Sequence, residues 1–396
     1  MKVLFITQVW PKDQQSNMYS ELVDEFVNSG DEVCVAILNE KQNNIKSGLS
    51  KQRGYYLLRV PCGNIQKTNK YKKVISSVFA GPTLNRYLKK YSPYKKYDVI
   101  VWALSTNLIV ASIISIKKKY SSKLYLLLKE YWPQDPCDLG AMKQGGILYK
   151  FFAFLEKQMV MHSDYIGTCS KAGIDYIRQR YSYDESKIEV CPNCEKNKNI
   201  SAKTKRTEIL KSYGIPEDKV VFIFGGNMGV SQGIDDMIKC INAAAQIEKT
   251  FFLLLGSGTE FYRVYSYFNN KYENVVVKNS ISQQEFFSLC TVCDVGMLFL
   301  YKGFNVPNIP GKFTTYLNAG LPILAAVDST TDVGEICERN KCGYGLLNGD
   351  TEAFVLNVKK MLNKDIRKEM SENSKILFNK DYDAKKCCEL IKSRFS

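Results

Sequence analysis

At 396 residues the chain exceeds what one hydrophobic core accommodates, about 250–300 residues, so its length predicts two domains. Apolar residues at 45% and charged residues at 24% exclude wholesale disorder. Lysine and arginine number 55 against 40 acidic residues, and this excess of +15 implies an anionic partner: nucleic acid, anionic lipid or a phosphorylated substrate. Residues 1–200 hold 30 of the basic and 18 of the acidic residues, so +12 of the excess belongs to the first half.

In chain order, residues 3–9 read as a buried strand, 20–28 as a helix closed at Gly30, and 32–38 as the next strand. The opening apolar run is too short for the core of a signal peptide, and polar residues follow from Lys12 to Asn17. Residues 99–116 are uncharged, but Ser105, Thr106, Asn107, Ser112 and Ser115 predict strand, turn and buried helix in place of a membrane span. The cycle repeats as a strand at 98–103, a helix at 108–119 and a strand at 123–128. A second series has strands at 220–224, 251–255, 275–277, 295–298 and 322–326, with helices between them. This alternation predicts an α/β protein of two doubly wound, Rossmann-like domains with parallel sheets. The polar stretch 196–206 reads as the linker. Domains are therefore expected at 1–195 and 207–378, with a C-terminal helical segment, 379–396, able to pack on either one. Two such domains would place a cleft between the C-terminal edges of their sheets, where open parallel sheets bind ligands.

Thirteen cysteines without framework spacing, in a chain this large, read as free buried thiols. The pairs Cys191/Cys194 and Cys290/Cys293 are too far apart for a zinc ribbon, His162 is the sole histidine and reads as structural, and no metal or other cofactor is expected.

The strongest local signal is a strand running into Gly225, Gly226, Asn227, Gly229, Gln232 and Gly233, followed by a helix. Backbone N–H groups in such a loop can face a phosphate or diphosphate, although the Walker Gly-Lys-Ser/Thr ending is absent; a turn chosen for geometry alone is the alternative. Pro310-Gly311 opens a helix at 312–318 that Gly320 and Pro322 terminate, and its N-terminal amides with Lys312 form an anion site. A third glycine turn, Gly256-Ser257-Gly258, lines the same sheet edge.

These motifs, in this order, resemble retaining two-domain (GT-B) glycosyltransferases of family 4, in the bacterial O-antigen and capsule branch that includes N-acetylfucosaminyl transferases. The resemblance also rests on Trp10-Pro11, Lys129-Glu130-Tyr131-Trp132-Pro133-Gln134-Asp135, Cys191-Pro192-Asn193, Tyr316-Leu317-Asn318-Ala319-Gly320-Leu321-Pro322 and Cys342-Gly343-Tyr344-Gly345. It implies that the second domain binds a nucleotide sugar, with UDP as the expected nucleotide, and the first receives a lipid-linked saccharide acceptor. By position, the Gly225–Gly229 loop, Gln232 and Lys312 would face the donor diphosphate, and Ser280, within 278–281, would lie by the base. The family's E-x7-E carboxylates align with Pro307 and Thr315, and both are missing. Glu130, beside Lys129, would orient or deprotonate the acceptor hydroxyl, with a structural ion pair as the equal alternative. Residues 11–17 would line the acceptor side. Asp381-Tyr382-Asp383 lies far from either loop and is not read as a metal motif.

Residues 67–97 hold nine Lys/Arg, five Tyr and no acidic residue. The expected partner is an anionic membrane surface, met through Lys67 to Lys96, and not nucleic acid. The expectation is a metal-independent enzyme peripheral to the cytoplasmic face of the cell membrane. The rivals are a nucleotide-sugar epimerase or hydrolase of the same fold, or a basic binding module.

Overall fold

The computed structural model describes residues 1–11, 15–65, 70–103, 107–198 and 206–395, with backbone only for 70–75 and 107. Two compact units emerge: Met1–Lys196 together with Ala384–Ser396, and Asn197–Asp383. Most of the expected linker lies outside the described residues.

The first unit is built on strands β1 (Lys2–Thr7), β2 (Glu32–Glu40), β3 (Gly48–Lys51), β4 (Tyr55–Cys62), β5 (Val99–Ala103), β6 (Lys123–Leu128), β7 (Tyr165–Thr168) and β8 (Ile188–Val190). They form one sheet in the order β3-β4-β2-β1-β5-β6-β7-β8. Continuous apolar runs such as Val3 to Ile6 and Val99 to Trp102 are buried on both faces, as central parallel strands require. The sheet is not wholly parallel: β3 pairs antiparallel with β4 at the edge. Strands β3, β4, β7 and β8 escape the sequence pattern because they are short or interrupted by Arg59, Pro61 and Glu189.

The C-terminal helix Ala384–Ser393 belongs to this unit. Ala384, Cys387, Cys388 and Ile391 are buried in the first core beside Leu22, Phe26 and Cys191. Lys392 pairs with Asp31 at 2.7 Å, and Arg394 pairs with Glu189. The thirteen cysteines are free; eleven are buried, with Cys62 and Cys137 partly so.

The second unit contains β9 (Val220–Asn227), β10 (Thr250–Ser257), β11 (Val275–Asn279), β12 (Val295–Phe299), β13 (Ile323–Val327) and β14 (Gly343–Leu347). All pairings are parallel and the order is β11-β10-β9-β12-β13-β14. The chain winds outward from β9 through β10 to β11, then returns to start β12 on the other side of β9. The gap beyond the C-terminal ends of β9 and β12 is therefore the switch point of this sheet, the place where open α/β sheets hold ligands. Among the described residues no helix is long and apolar enough to cross a membrane.

Candidate active site

The site is built on the loops that leave β9 and β12. At the end of β9, Gly226 takes φ +123°, a conformation that excludes ordinary side chains, and is exposed with Asn227. One turn of 3-10 helix, Val230–Gln232, then leads to Gly233 at φ +58°, which opens the helix Ile234–Ala244. A Cβ at Gly233 would meet Asn348 Nδ2 at 2.3 Å and the Leu300 carbonyl at 3.1 Å, so glycine is required there twice over.

Lys312 lies across this loop. It stands in the first turn of the helix Gly311–Ala319, whose cap residue Pro310 contributes no side-chain bond. Early helical amides have no intrahelical acceptor, so those of Gly311 and Lys312 are available to an anion. The Lys312 ammonium donates to Gln232 Oε1 at 2.8 Å and sits 3.9 Å from the centroid of the Phe224 ring. Its Cε would lie 3.6 Å from a Cβ at Gly226. Burial among these groups disfavours the charged form and lowers its pKa from 10.5 to about 7. A cation held beside an exposed glycine loop, without a described carboxylate partner, is matched to an incoming negative charge.

Neighbouring loops fix this geometry. Tyr301 N donates to Ser231 O at 2.9 Å and joins the loop after β12 to the loop after β9. Asn348, buried after β14, donates to Leu300 O at 2.7 Å and lies 3.5 Å from Gly233 O. Thr330 and Thr331 donate their hydroxyls to Phe304 O and Asn308 O at 2.9 and 2.8 Å. The sequence reading missed all of these. Only the Asn348-Gly349 turn, with Gly349 at φ +97°, carried a local signal.

The structure separates the expected residues into three groups. Gly226, Asn227, Gly229, Gln232, Gly233, Pro310, Gly311 and Lys312 gather at the switch point. Gly225 and Gly256 are interior: a Cβ at 225 would come within 2.0 Å of the Phe286 ring, and one at 256 within 2.5 Å of Gly226 O. Close packing accounts for both. Thr315 and Pro307, at the positions of the missing carboxylates, are buried, and so is Thr314. Ser280 is exposed just past β11, two strands from β9 on the same sheet edge.

Lys129 and Glu130 belong to the first unit, immediately after β6. Lys129 donates to the Cys191 carbonyl, which pins its ammonium to the chain beside the C-terminal helix. Glu130 is exposed. His162 closes a helix, with Nδ1 2.9 Å from Gln158 O and its carbonyl accepting from Lys117, a structural arrangement. Of residues 11–17, positions 12–14 lie outside the described residues.

In the basic segment, 66–69 and the side chains of 70–75 lie outside the described residues. The helix Lys70–Tyr91 exposes Arg86, Lys89 and Lys90; Leu84 and Leu88 are buried, while Val78 and Phe79 are exposed, Phe79 at 66%. A longer row of exposed apolar side chains lies on the helix Ile147–His162, where Ile147 is 91% and Phe154 57% exposed, in line with Phe151 and Met161.

No family model matches the chain. It is 20% identical over 278 residues to the probable glycosyltransferase WbjE of Pseudomonas aeruginosa, a match covering 67% of this chain and 66% of that protein, just under two thirds of its length. Among solved structures it is similar to WaaG, a glycosyltransferase involved in lipopolysaccharide biosynthesis, at 12% identity and a TM-score of 0.66, with both chains fully covered. It is likewise similar to Anabaena HepE in complex with UDP-glucose, at 12% identity and a TM-score of 0.67, covering 100% of this chain and 99% of that one. The architecture is that of the GT-B glycosyltransferases: α/β, with two sheets of mostly parallel strands.

Proposed function

We propose that the protein is a retaining glycosyltransferase that moves a sugar from a UDP-linked donor to a lipid-linked saccharide at a membrane surface. The observation that carries this reading is Lys312, held by Gln232 over Phe224 at the switch point of the second unit, facing the Gly226–Gly233 loop. The two similar structures support it, since one is a UDP-glucose complex and the other belongs to lipopolysaccharide synthesis.

In this reading the second unit binds the diphosphate through backbone amides of the loop and of Gly311 and Lys312. The bond between the anomeric carbon and the leaving phosphate oxygen breaks as the acceptor hydroxyl attacks on the same face. The hydroxyl proton passes to that phosphate oxygen, so no strong protein base is required. Lys312 stabilises the charge that grows on the diphosphate, the largest catalytic contribution available here. Glu130, exposed at the end of β6, orients the acceptor hydroxyl.

Membrane association on the cytoplasmic side is assigned to the helix Ile147–His162. Its exposed Ile147, Leu148, Phe151 and Phe154 lie beside exposed Lys150 and Lys157, the pairing of apolar and basic groups that suits an interfacial helix. The test is a thermal-shift screen across nucleotides and nucleotide sugars, followed by proton NMR of the product formed with a lipid-linked acceptor. UDP-sugars should raise the midpoint, and the product should keep the anomeric configuration of the donor. An inverted anomeric centre, or equal donor turnover without acceptor, would refute the assignment.

A further inference from the structure

The helix Gly311–Ala319 carries Lys312 at one end, and its other end borders a second concavity. This cavity, of about 410 Å³, lies at the N-terminal edge of the second sheet, where β12 and β13 begin. Nine helical residues separate the two ends, about 13 Å of axis, so the cavity is distinct from the switch-point site.

Its lining is strongly one-signed. Lys198, Lys364, Arg367, Lys368 and Lys375 face it, against a single carboxylate, Asp294. That carboxylate is already engaged: Arg206 contacts it at 2.8 Å and Arg367 at 3.8 Å. Lys364, Lys368 and Lys375 make no ion pair with any described residue. Three of the cations stand together on one face of the helix Lys364–Leu377, Lys364 three residues from Arg367 and four from Lys368. Like charges at these spacings repel and destabilise a helix by a few tenths of a kcal/mol per pair. They also outnumber Asp365, the acidic residue of the first turn, at the helix end where the macrodipole is positive. Uncompensated positive charge thus gathers at the mouth of one cavity, where a bound anion relieves the repulsion. Lys375 has a separate structural role, since its stem covers Gly320 at the end of the Gly311–Ala319 helix.

We propose that this cavity is a second anion site of the protein, which takes a free phosphate-bearing small molecule, a phosphomonoester or a pyrophosphate. The size falls in the range of small-molecule sites, about 300–1,000 Å³. Asn197, Asn318 and Asn379 line the same wall, with the Asn197 amide donating to Asn379 Oδ1 at 2.6 Å and Asn318 Oδ1 accepting from Lys198 N at 3.3 Å.

The test uses the full chain and inorganic pyrophosphate, read by thermal shift and calorimetry in wild type, in Lys312→Gln and in the double variant Lys364→Gln/Lys368→Gln. Pyrophosphate should still bind Lys312→Gln, through the cavity, and in the double variant the cavity site should bind at least tenfold more weakly while any binding at the Lys312 site is unchanged. Without ligand, the double variant should be as stable as wild type or more stable, because repulsion is relieved. Equal affinity in the double variant, or loss of all binding in Lys312→Gln alone, would overturn the proposal. A further arm uses phosphatidylglycerol vesicles. Vesicle binding that is lost in the double variant, with no pyrophosphate effect in any protein, would assign the phosphate to a lipid headgroup and overturn the small-molecule assignment.

Discussion

Donor binding should carry a proton with it. Burial lowers Lys312 from 10.5 to about 7, so at pH 8 only about one tenth of the free protein holds the ammonium. That shift corresponds to at most about 5 kcal/mol against the charged form. A phosphate oxygen near the place of Gln232 Oε1, which lies 2.8 Å from Nζ, would bring a negative charge within about 3.5 Å. At an effective dielectric constant of about 20 this attraction is worth about 5 kcal/mol, and the diphosphate carries two such charges. The ammonium is therefore restored on binding across the neutral range. Calorimetry of UDP-glucose, whose esterified diphosphate does not titrate near neutrality, should show uptake of about 0.9 proton at pH 8 and about 0.1 at pH 6, from buffers of unlike ionisation enthalpy. Affinity should fall by about tenfold per pH unit above pH 8 and hardly change near pH 6. Lys312→Arg, which never loses its charge, should bind without proton uptake. No uptake at pH 8 in wild type, or the same uptake in Lys312→Met, would refute the reasoning.

Further predictions rest on other contacts. Gly225→Ala must displace the Phe286 ring and should cost about 1–3 kcal/mol in urea unfolding, whereas Gly311→Ala, with nothing within 4 Å of its new Cβ, should leave stability unchanged. Asn348→Ala removes the donor to Leu300 O and should cost about 1–3 kcal/mol while weakening donor binding in a thermal-shift titration. Burial raises the Glu156 carboxyl to about 7, despite its bonds from Tyr181 and Tyr176, so the folded protein binds its proton more tightly than the unfolded chain. Its stabilising effect is full below about pH 4.5 and is lost as pH rises through 7; Glu156→Gln should therefore stabilise the protein by up to about 3 kcal/mol at pH 8 and do little at pH 4, measured by urea unfolding. Replacing Ile147 and Phe154 together by serine should reduce sedimentation with anionic vesicles by tenfold or more, since each buried apolar side chain is worth about 1.5–3 kcal/mol. Unfolding curves should show no matching loss, because both side chains are exposed.

The central strands of both units were legible because a run such as Val3 to Ile6 or Phe251 to Leu255 is apolar on both faces, and only a sheet covered on both sides buries it. Outer strands were not, because β4 passes through Arg59 and Pro61, and β14 carries glycine at Gly343 and Gly345. The glycine loop and Lys312 stood out through spacing, but spacing cannot separate a glycine that faces a ligand from one that makes room for Phe286. The resemblance aligned Pro307 and Thr315 with carboxylates; that both are interior depends on side-chain packing that no local pattern encodes. Charge density drew attention to residues 67–97, where Val78 and Phe79 are exposed as well. The exposed apolar row on Ile147–His162 was not legible, because the all-round hydrophobicity of that helix reads from sequence as a buried one.

The central claim is that a nucleotide diphosphate sits at the switch point of the second unit, between the loop after β9 and the start of the Gly311–Ala319 helix. Amide hydrogen exchange with and without UDP measures this at the residues concerned. The account predicts slowed exchange in peptides covering Gly226–Gly233 and Gly311–Phe313, greatly reduced in Lys312→Ala, with the sheet interior unchanged. Protection confined to other segments, or the same protection in Lys312→Ala, would contradict it.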